Sequence, residues 1–371
     1  MADPRVVRLA QLLANYCIGV KPGDQVAITG SSATLPLLNE TLRAVLQAGA
    51  MPIINWREDS FSEILFKEGN EDQITYVPKP LEMVYREFDA TIDITGTVNT
   101  RSLSSIDSKK QQLRQNAMRG ILETYMKRGA ARELNWVVTL FPTNAQAQEA
   151  DMSLTEFEDF VYRACHVDKE DPVAEWRKFS EMQQRLVDWL KGKEHVYVKG
   201  PNGELTLSIA GRTFINSDGR RNMPSGEIFT GPVEDSANGW MRFTYPAIIQ
   251  GREVEGIELH FENGCVVRAT AKKNEPFLLD VLDTDEGARY LGEFAIGTNK
   301  GIDRFSKSIL FDEKIGGTMH MAVGAGYPET GSVNQSAIHW DMISDMRDGG
   351  RIWIDNELFY DSGEFIILEK V

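Results

Sequence analysis

Short apolar runs and stretches with helical periodicity alternate along the first half of the chain. Strands are predicted at residues 24–30, 51–56, 89–96 and 135–142. Helices are predicted at residues 35–50, 106–130, 153–165 and 171–192. The third helix has a clear start signal, because Ser153 suits the N-cap and Glu156 completes a capping box. This alternation predicts an α/β domain with an open, largely parallel sheet covered by helices.

The pattern changes after about residue 193. Short β-like runs separated by Gly, Asn and Asp turns dominate, with one predicted helix at about 275–286. Asn263 and Gly264 lie between two such runs and suit the positive φ angles of a type I′ hairpin turn. We therefore predict two domains, an α/β domain at 1–192 and a mainly β (α+β) catalytic domain at 193–371.

Charge and composition exclude several classes of partner. The formal net charge is −15 and the pI is about 4.9, which argues against nucleic acid and against anionic membranes. No run of apolar residues is long enough for a transmembrane helix, and the N-terminus predicts an amphipathic helix rather than a signal peptide. Three widely separated cysteines indicate a cytoplasmic protein. Without GxGxxG or GK[ST], no nucleotide-binding residues are predicted.

Candidate chemistry begins near the C-terminus, where two of the five histidines lie. In a strand, His339 and Asp341 leave the same face, so they either reach one cation or form a structural pair. His320 alternates with two methionines and points away from them. Taken alone, a histidine in this position is usually a partly buried structural residue. Tyr327 follows two glycines that allow the chain to bend back over the end of that strand.

Two glutamates in the second half extend this set. Glu227 begins a β run after a Pro-Ser-Gly turn, and Glu293 lies in an apolar run directly after Gly292. A carboxylate in such a run is costly unless it forms a salt bridge or binds a cation, and both alternatives stay open. The two Glu, two His, Asp and Tyr offer oxygen and nitrogen donors without sulfur, which suits Zn, Co or Mn. Six residues suffice for two divalent ions.

Four segments carry a family resemblance. They read "NMPSGEIFTGPVEDSANG", "LLDTDEGARYLGEFAIG", "HMAVGAGYP" and "IHWDMI". In order and context they resemble the aminopeptidase T family of metalloaminopeptidases, which includes aminopeptidase II and the PepS-like enzymes. Similarity in the N-terminal half extends the resemblance over essentially the whole chain.

The resemblance implies an exopeptidase that releases N-terminal amino acids from peptides with a free N-terminus. It implies two divalent metal ions in the second domain, and a homodimer. The metal ligands that it implies are Glu227, Glu293, His320, Tyr327, His339 and Asp341. Each of these positions carries the residue type of the family motif.

The mechanistic hypothesis is a metal-activated hydroxide that attacks the scissile carbonyl. We expect Glu293 to bridge the two ions, and Tyr327 either to bind an ion or to donate a hydrogen bond to the tetrahedral intermediate. The short loop at 328–338 leaves the shape of the substrate pocket open. The alternatives are a binding protein of the same fold without peptidase activity, or another dinuclear metal amidase or dipeptidase.

Overall fold

The computed structural model describes residues 3–249 and 251–369. It divides into two compact units. Unit 1 runs to Glu175 and includes Gly219–Pro224, and unit 2 comprises Trp176–Asp218 and the chain from Ser225 onward. The predicted domain boundary at residue 192 stays a prediction. No helix within the described residues has the length and apolar character needed to cross a bilayer.

The helices and strands are numbered in chain order. The α-helices are α1 Pro4–Leu12, α2 Leu35–Gln47, α3 Asp59–Glu68, α4 Glu71–Thr75, α5 Lys79–Glu87, α6 Ser108–Ala117, α7 Arg119–Ala130, α8 Asn144–Glu149, α9 Leu154–Ala164, α10 Pro172–Leu190, α11 Glu275–Leu282 and α12 Ile309–Asp312. The strands of the first half are β1 Gln25–Gly30, β2 Met51–Trp56, β3 Ala90–Thr95 and β4 Asn135–Leu140. Those of the second half are β5 His195–Gly200, β6 Gly203–Ser208, β7 Ile215–Ser217, β8 Asn222–Met223, β9 Glu227–Thr230, β10 Asn238–Arg242, β11 Ala247–Ile249, β12 Arg252–Val254, β13 Glu258–Glu262, β14 Cys265–Thr270, β15 Leu291–Gly297, β16 Thr318–Gly324, β17 His339–Asp345, β18 Arg351–Ile354, β19 Glu357–Asp361 and β20 Glu364–Phe365.

Unit 1 contains a five-stranded parallel sheet in the order β2-β1-β3-β4-β8. Its central strands are almost continuously buried, as expected for parallel strands with helices on both faces. The capping box that begins α9 at Ser153 is confirmed. The single helix predicted at 106–130 is wrong, because α6 and α7 break at Met118, where ψ is −4°. Helix α6 has no fully buried side chain, and Arg114 donates hydrogen bonds to the carbonyl oxygens of Ile74 and Tyr76.

Unit 2 is built from antiparallel strands. An eight-stranded sheet has the order β14-β13-β10-β6-β5-β18-β19-β20, and a five-stranded sheet has the order β17-β16-β15-β9-β7. One core cluster contains residues of both sheets, including Leu205 and Leu259 of the larger sheet and Phe294 and Met321 of the smaller one. The predicted hairpin joins β13 to β14, with positive φ at Asn263–Gly264. The predicted fold class, an α/β part followed by a mainly β part, is confirmed.

Candidate metal centre

Strands β15, β16 and β17 place four of the predicted ligands on one face of the five-stranded sheet. Glu293, His320, His339 and Asp341 alternate with residues of the core cluster, because successive strand side chains leave opposite faces. Trp340, between the last two, is buried in the core. Polar side chains therefore line one face while the other face stabilises the fold.

Two glycines direct the glutamates toward this face. At Gly292 the register between β15 and β16 shifts, which is a β-bulge, and Glu293 follows immediately. A Cβ at Gly292 would lie 2.2 Å from the carbonyl oxygen of Ala325, so only glycine fits there. Gly226 has a φ of +125° and precedes Glu227, the first residue of β9. Local backbone geometry thus aims both carboxylates.

The ligand atoms approach one another closely. Nε2 of His320 lies 3.4 Å from Oε2 of Glu227 and 3.6 Å from Oε1 of Glu293. Nε2 of His339 lies 3.2 Å from Oε2 of Glu293 and 3.6 Å from Oδ1 of Asp341. The two oxygens of Glu293 therefore face different histidines. Glu293 lies at the middle of the cluster.

Tyr327 joins the cluster through its ring. Its centroid lies 5.1 Å from the imidazole of His339 and 5.4 Å from the ring of Phe229, both in edge-to-face contact. The chain turns at Gly324, which has a φ of +100°. Nδ1 of His339 donates a hydrogen bond of 2.7 Å to the carbonyl oxygen of Ala325, which leaves Nε2 to face the carboxylates.

Burial and neighbouring charges shift the pKa values of these groups. Burial raises the pKa of Glu227. Burial opposes the charged form of His320, but Glu293 and Glu227 outweigh it and raise the pKa of His320 to about 9. Burial also opposes the charged form of Asp341, but His339 and other cations lower its pKa to about 2. Protons on the imidazoles therefore compete with any metal ion for the same nitrogen atoms.

The donor atoms of the cluster fit a divalent cation. Oε2 of Glu227, Nε2 of His320 and Oδ1 of Asp341 are buried and have no hydrogen-bond partner among the described residues. Buried polar atoms without a partner are rare in native proteins. A divalent ion accepts such nitrogen and oxygen donors together, and would satisfy these atoms.

Side chains that bring ligand atoms within 4.8 Å of one another form three groups in the described part of the chain. The groups are Glu227, Glu293 and His320; Glu293, His339 and Asp341; and Glu313, His320 and Asp341. The first two groups contain five of the six predicted ligands and share Glu293. The third group introduces Glu313, which was not predicted.

Lys314 and Glu313 lie beside the cluster, directly after α12. The side chain of Lys314 is completely buried, contacts the carboxylate of Glu313, and places Nζ 3.9 Å from Oε1 of Glu227. Burial opposes the charged form of Lys314, but Glu313 and Glu227 outweigh it and raise its pKa. Neither residue was predicted from the sequence. The signal was a charged dipeptide just upstream of the strand that carries His320.

Two carboxylates hold the loop at 328–338. Glu234 accepts hydrogen bonds from the backbone N–H of Val333 at 2.8 Å and from a serine hydroxyl. Asp285 accepts one from the backbone N–H of Ala337 at 2.7 Å and another from a serine hydroxyl. The segment that joins Tyr327 to β17 is therefore attached at its middle and near its C-terminal end.

Buried carboxylates and imidazoles with unpartnered donor atoms are the features of a metal-binding site. The chain belongs to the thermophilic metalloprotease (M29) family, whose sequence profile matches residues 2–365. This match confirms the resemblance to the aminopeptidase T family and the prediction of a metal-dependent hydrolase.

Characterised relatives align with most of the chain. Aminopeptidase 2 of Geobacillus stearothermophilus is 26% identical over 91% of this chain and 90% of its own. Aminopeptidase T of Thermus thermophilus is 28% identical over 87% of this chain and 85% of its own.

Solved structures show the same fold. Wild-type AmpT from Thermus thermophilus superposes with a TM-score of 0.86 at 20% identity, covering 98% of this chain and 99% of that chain. A 2,5-dihydroxypyridine dioxygenase from Pseudomonas putida superposes with a TM-score of 0.56 at 14% identity, covering 98% and 96%. Related folds thus carry different chemistries, so the function must be argued from the site.

Proposed function

We propose that the protein is an aminopeptidase that releases N-terminal amino acids from peptides by means of two divalent metal ions. The observation that carries the proposal is the meeting of two ligand groups at Glu293. Membership of the metalloprotease family and the names of the aligned aminopeptidases support the peptide substrate.

The ligands divide between the ions by proximity. Glu227 and His320 would hold one ion and His339 and Asp341 the other, with Glu293 bridging them. The bridging role is supported by the two carboxylate oxygens of Glu293, which face different histidines. The donor set without sulfur suits Zn, Co or Mn.

The side chains around the ions have distinct tasks. Bound divalent ions supply Lewis acidity, which lowers the pKa of a water molecule and polarises a carbonyl group. His339 is held by the carbonyl oxygen of Ala325 so that Nε2 stays directed at the centre. Burial and the nearby carboxylates raise the pKa of Tyr327 well above its ordinary value, so its phenol stays protonated in the metal-free protein. A protonated phenol at this position would donate a hydrogen bond to the developing negative charge on the substrate oxygen.

We also propose a cytoplasmic homodimer. The cytoplasmic assignment is supported by the widely separated cysteines and rests on the sequence. A dimer is supported by β2, which lies at the edge of the unit 1 sheet and exposes Met51, Ile53 and Trp56. An exposed apolar edge strand is a ready site for pairing with a second copy. Sedimentation equilibrium of the wild type and Ile53→Lys tests this, and a wild-type monomer refutes it.

The Glu293→Gln variant tests the bridging role. We expect it to lose at least one metal ion per chain, and turnover of an aminoacyl anilide to fall at least about 100-fold, because the amide is a much weaker metal ligand than a carboxylate. Glu258→Gln is the matched control, because Glu258 also pairs with a histidine, His260 at 3.0 Å, outside the cluster. Full metal content and normal turnover in Glu293→Gln would refute the assignment.

A pair of peptide substrates distinguishes an aminopeptidase from another dinuclear amidase and from a binding protein without activity. An aminopeptidase cleaves a peptide with a free N-terminus and leaves its acetylated counterpart intact. Equal cleavage of both would indicate another dinuclear amidase. Metal uptake without hydrolysis of either peptide would indicate a binding protein.

A further inference from the structure

The parallel sheet of unit 1 contains a point at which the order of its strands reverses. In the order β2-β1-β3-β4-β8, the chain leaves β1 toward β2 on one side and leaves β3 toward β4 on the other. The connections that follow β1 and β3 therefore diverge at the carboxyl ends of these two neighbouring strands. In open α/β sheets, such a divergence leaves a crevice in which ligands bind.

A pocket of about 310 Å³ lies at this crevice. Its wall includes Gly30 and Ser31 at the end of β1, residues 95–97 at the end of β3, and the charged residues Arg57 and Asp59, which follow β2. A volume of roughly 300 Å³ is at the lower end for small-molecule sites. Most of the lining side chains are polar. Both properties favour a small, polar ligand.

Arg57 provides a positive charge at the pocket. Its Nη1 lies 3.6 Å from Oδ1 of Asp93 on β3, and the side chain of Asp93 is 18% exposed whereas that of Arg57 is 57% exposed. The largely buried carboxylate anchors the guanidinium group on one side. A guanidinium group has several N–H donors in a planar fork, so donors remain for the carboxylate of a ligand.

Asp59 provides a negative charge at the same pocket. It is the first residue of α3, and its Oδ2 accepts a hydrogen bond from the hydroxyl of Thr97, just after β3. This hydrogen bond fixes the carboxylate beside the crevice. A carboxylate accepts several hydrogen bonds, so Asp59 retains acceptor capacity for an ammonium group.

The start of the helical segment after β1 is already occupied by a carboxylate of the protein. Ligands that carry phosphate commonly bind such a helix start. Here the backbone N–H of Ser32 donates a hydrogen bond of 2.7 Å to Oε1 of Glu58, and the Ser32 hydroxyl donates one of 3.1 Å to Oε2. The negative charge of Glu58 would repel a phosphate group at this position.

We propose that this pocket is a binding site for a free α-amino acid, whose carboxylate contacts Arg57 and whose ammonium group contacts Asp59. One positive and one negative side chain at the same pocket match the two charges of a zwitterion. The inference goes beyond the proposed function. Release of N-terminal residues would supply such ligands, but binding at this pocket requires neither a metal ion nor turnover.

Isothermal titration calorimetry of the metal-free protein with L-alanine tests the site, because an amino acid then has no metal ion to bind. We expect one L-alanine per chain. N-acetyl-L-alanine lacks the ammonium group and L-alaninamide lacks the carboxylate. Each should bind at least about tenfold more weakly, because each loses one charge-assisted contact. These comparisons use the wild type and do not depend on the folding of a variant.

Two variants assign the charges. Arg57→Gln should weaken L-alanine binding at least about tenfold and remove the preference over L-alaninamide, and Asp59→Asn should do the same for N-acetyl-L-alanine. Arg86→Gln and Asp72→Asn are matched controls. Arg86 is an exposed arginine 3.6 Å from the carboxylate of Glu87, and Asp72 lies in the first turn of α4. Both controls should bind L-alanine as tightly as the wild type.

Failure of L-alanine to bind the metal-free wild type would overturn the inference and leave the two-ion proposal standing. Equal binding of L-alanine and its two analogues, or binding of inorganic phosphate in place of L-alanine, would also overturn it. A wild-type protein that binds no Co²⁺, Zn²⁺ or Mn²⁺ would instead overturn the proposed function, and the titration with L-alanine would still decide the amino-acid site.

Discussion

Replacement of Gly292 by alanine tests whether the β-bulge sets the geometry of the metal centre. The added Cβ would lie 2.2 Å from the carbonyl oxygen of Ala325 and 2.5 Å from that of Gly324, both backbone atoms. Contacts under 3.0 Å are not tolerated, so the strands must separate by about 0.8 Å, the difference between 3.0 and 2.2 Å. We expect a loss of about 1–3 kcal/mol in the free energy of unfolding. Because Glu293 moves with the bulge, turnover should fall up to about 100-fold.

Urea unfolding, metal analysis and anilide turnover measure these effects on the same preparation. Gly120→Ala is the matched control, since Gly120 lies in α7 with no atom within 4 Å of an added Cβ. That substitution should leave turnover unchanged and raise the free energy of unfolding by up to about 1 kcal/mol, because alanine favours a helix. Wild-type stability and metal content in Gly292→Ala would show that the bulge does not position Glu293.

Three further predictions concern stability and the loop. Phe294→Ala removes a completely buried ring from the core, and urea unfolding should show a loss of about 3–5 kcal/mol. Burial raises the pKa of Asp312 from 3.8 to about 7, so its contribution to stability is present below pH 3.8 and is lost as the pH rises through 7. Asp312→Asn should therefore raise the free energy of unfolding at pH 8 by about 2–4 kcal/mol and flatten its pH dependence over that window. Burial disfavours the charged form of Glu234, but the hydrogen bond from the Val333 N–H and the nearby Arg212 outweigh burial and lower the pKa of Glu234. The carboxylate therefore stabilises the fold above pH 4.5, and this stabilisation is lost as the pH falls through the pKa of Glu234 in the folded protein. Glu234→Gln should speed amide hydrogen exchange at Val333 about tenfold at pH 7, and an unchanged rate would contradict this.

Most of the features that depend only on neighbouring residues could be predicted from the sequence. Strand alternation is such a signal, because His320, His339 and Asp341 each stand between two residues of the core cluster. The capping box at Ser153 and the turn at Asn263–Gly264 are equally local. A polar side chain in an apolar run is conspicuous, and four of the six candidate ligands were found in this way or by their i, i+2 spacing.

Pairing between distant segments was not predicted. Strand β8 has two residues, too few for any periodicity, yet it pairs with β4 at the edge of the unit 1 sheet. Its neighbours in sequence, β7 and β9, belong to a sheet of unit 2. Strand order of this kind depends on contacts between segments far apart in the chain.

Lys314 shows why the charge balance of the centre is harder to predict than its ligands. Adjacent glutamate and lysine residues before two glycines are typical of a solvated turn, since both side chains are rarely buried. Burial of the ammonium group requires a second carboxylate, and this comes from Glu227 on β9, far earlier in the chain. Strand β15 lies between β9 and β16 and brings the two segments together. The ligands follow from the period of a strand, whereas their compensating charge follows from the order of strands in the sheet.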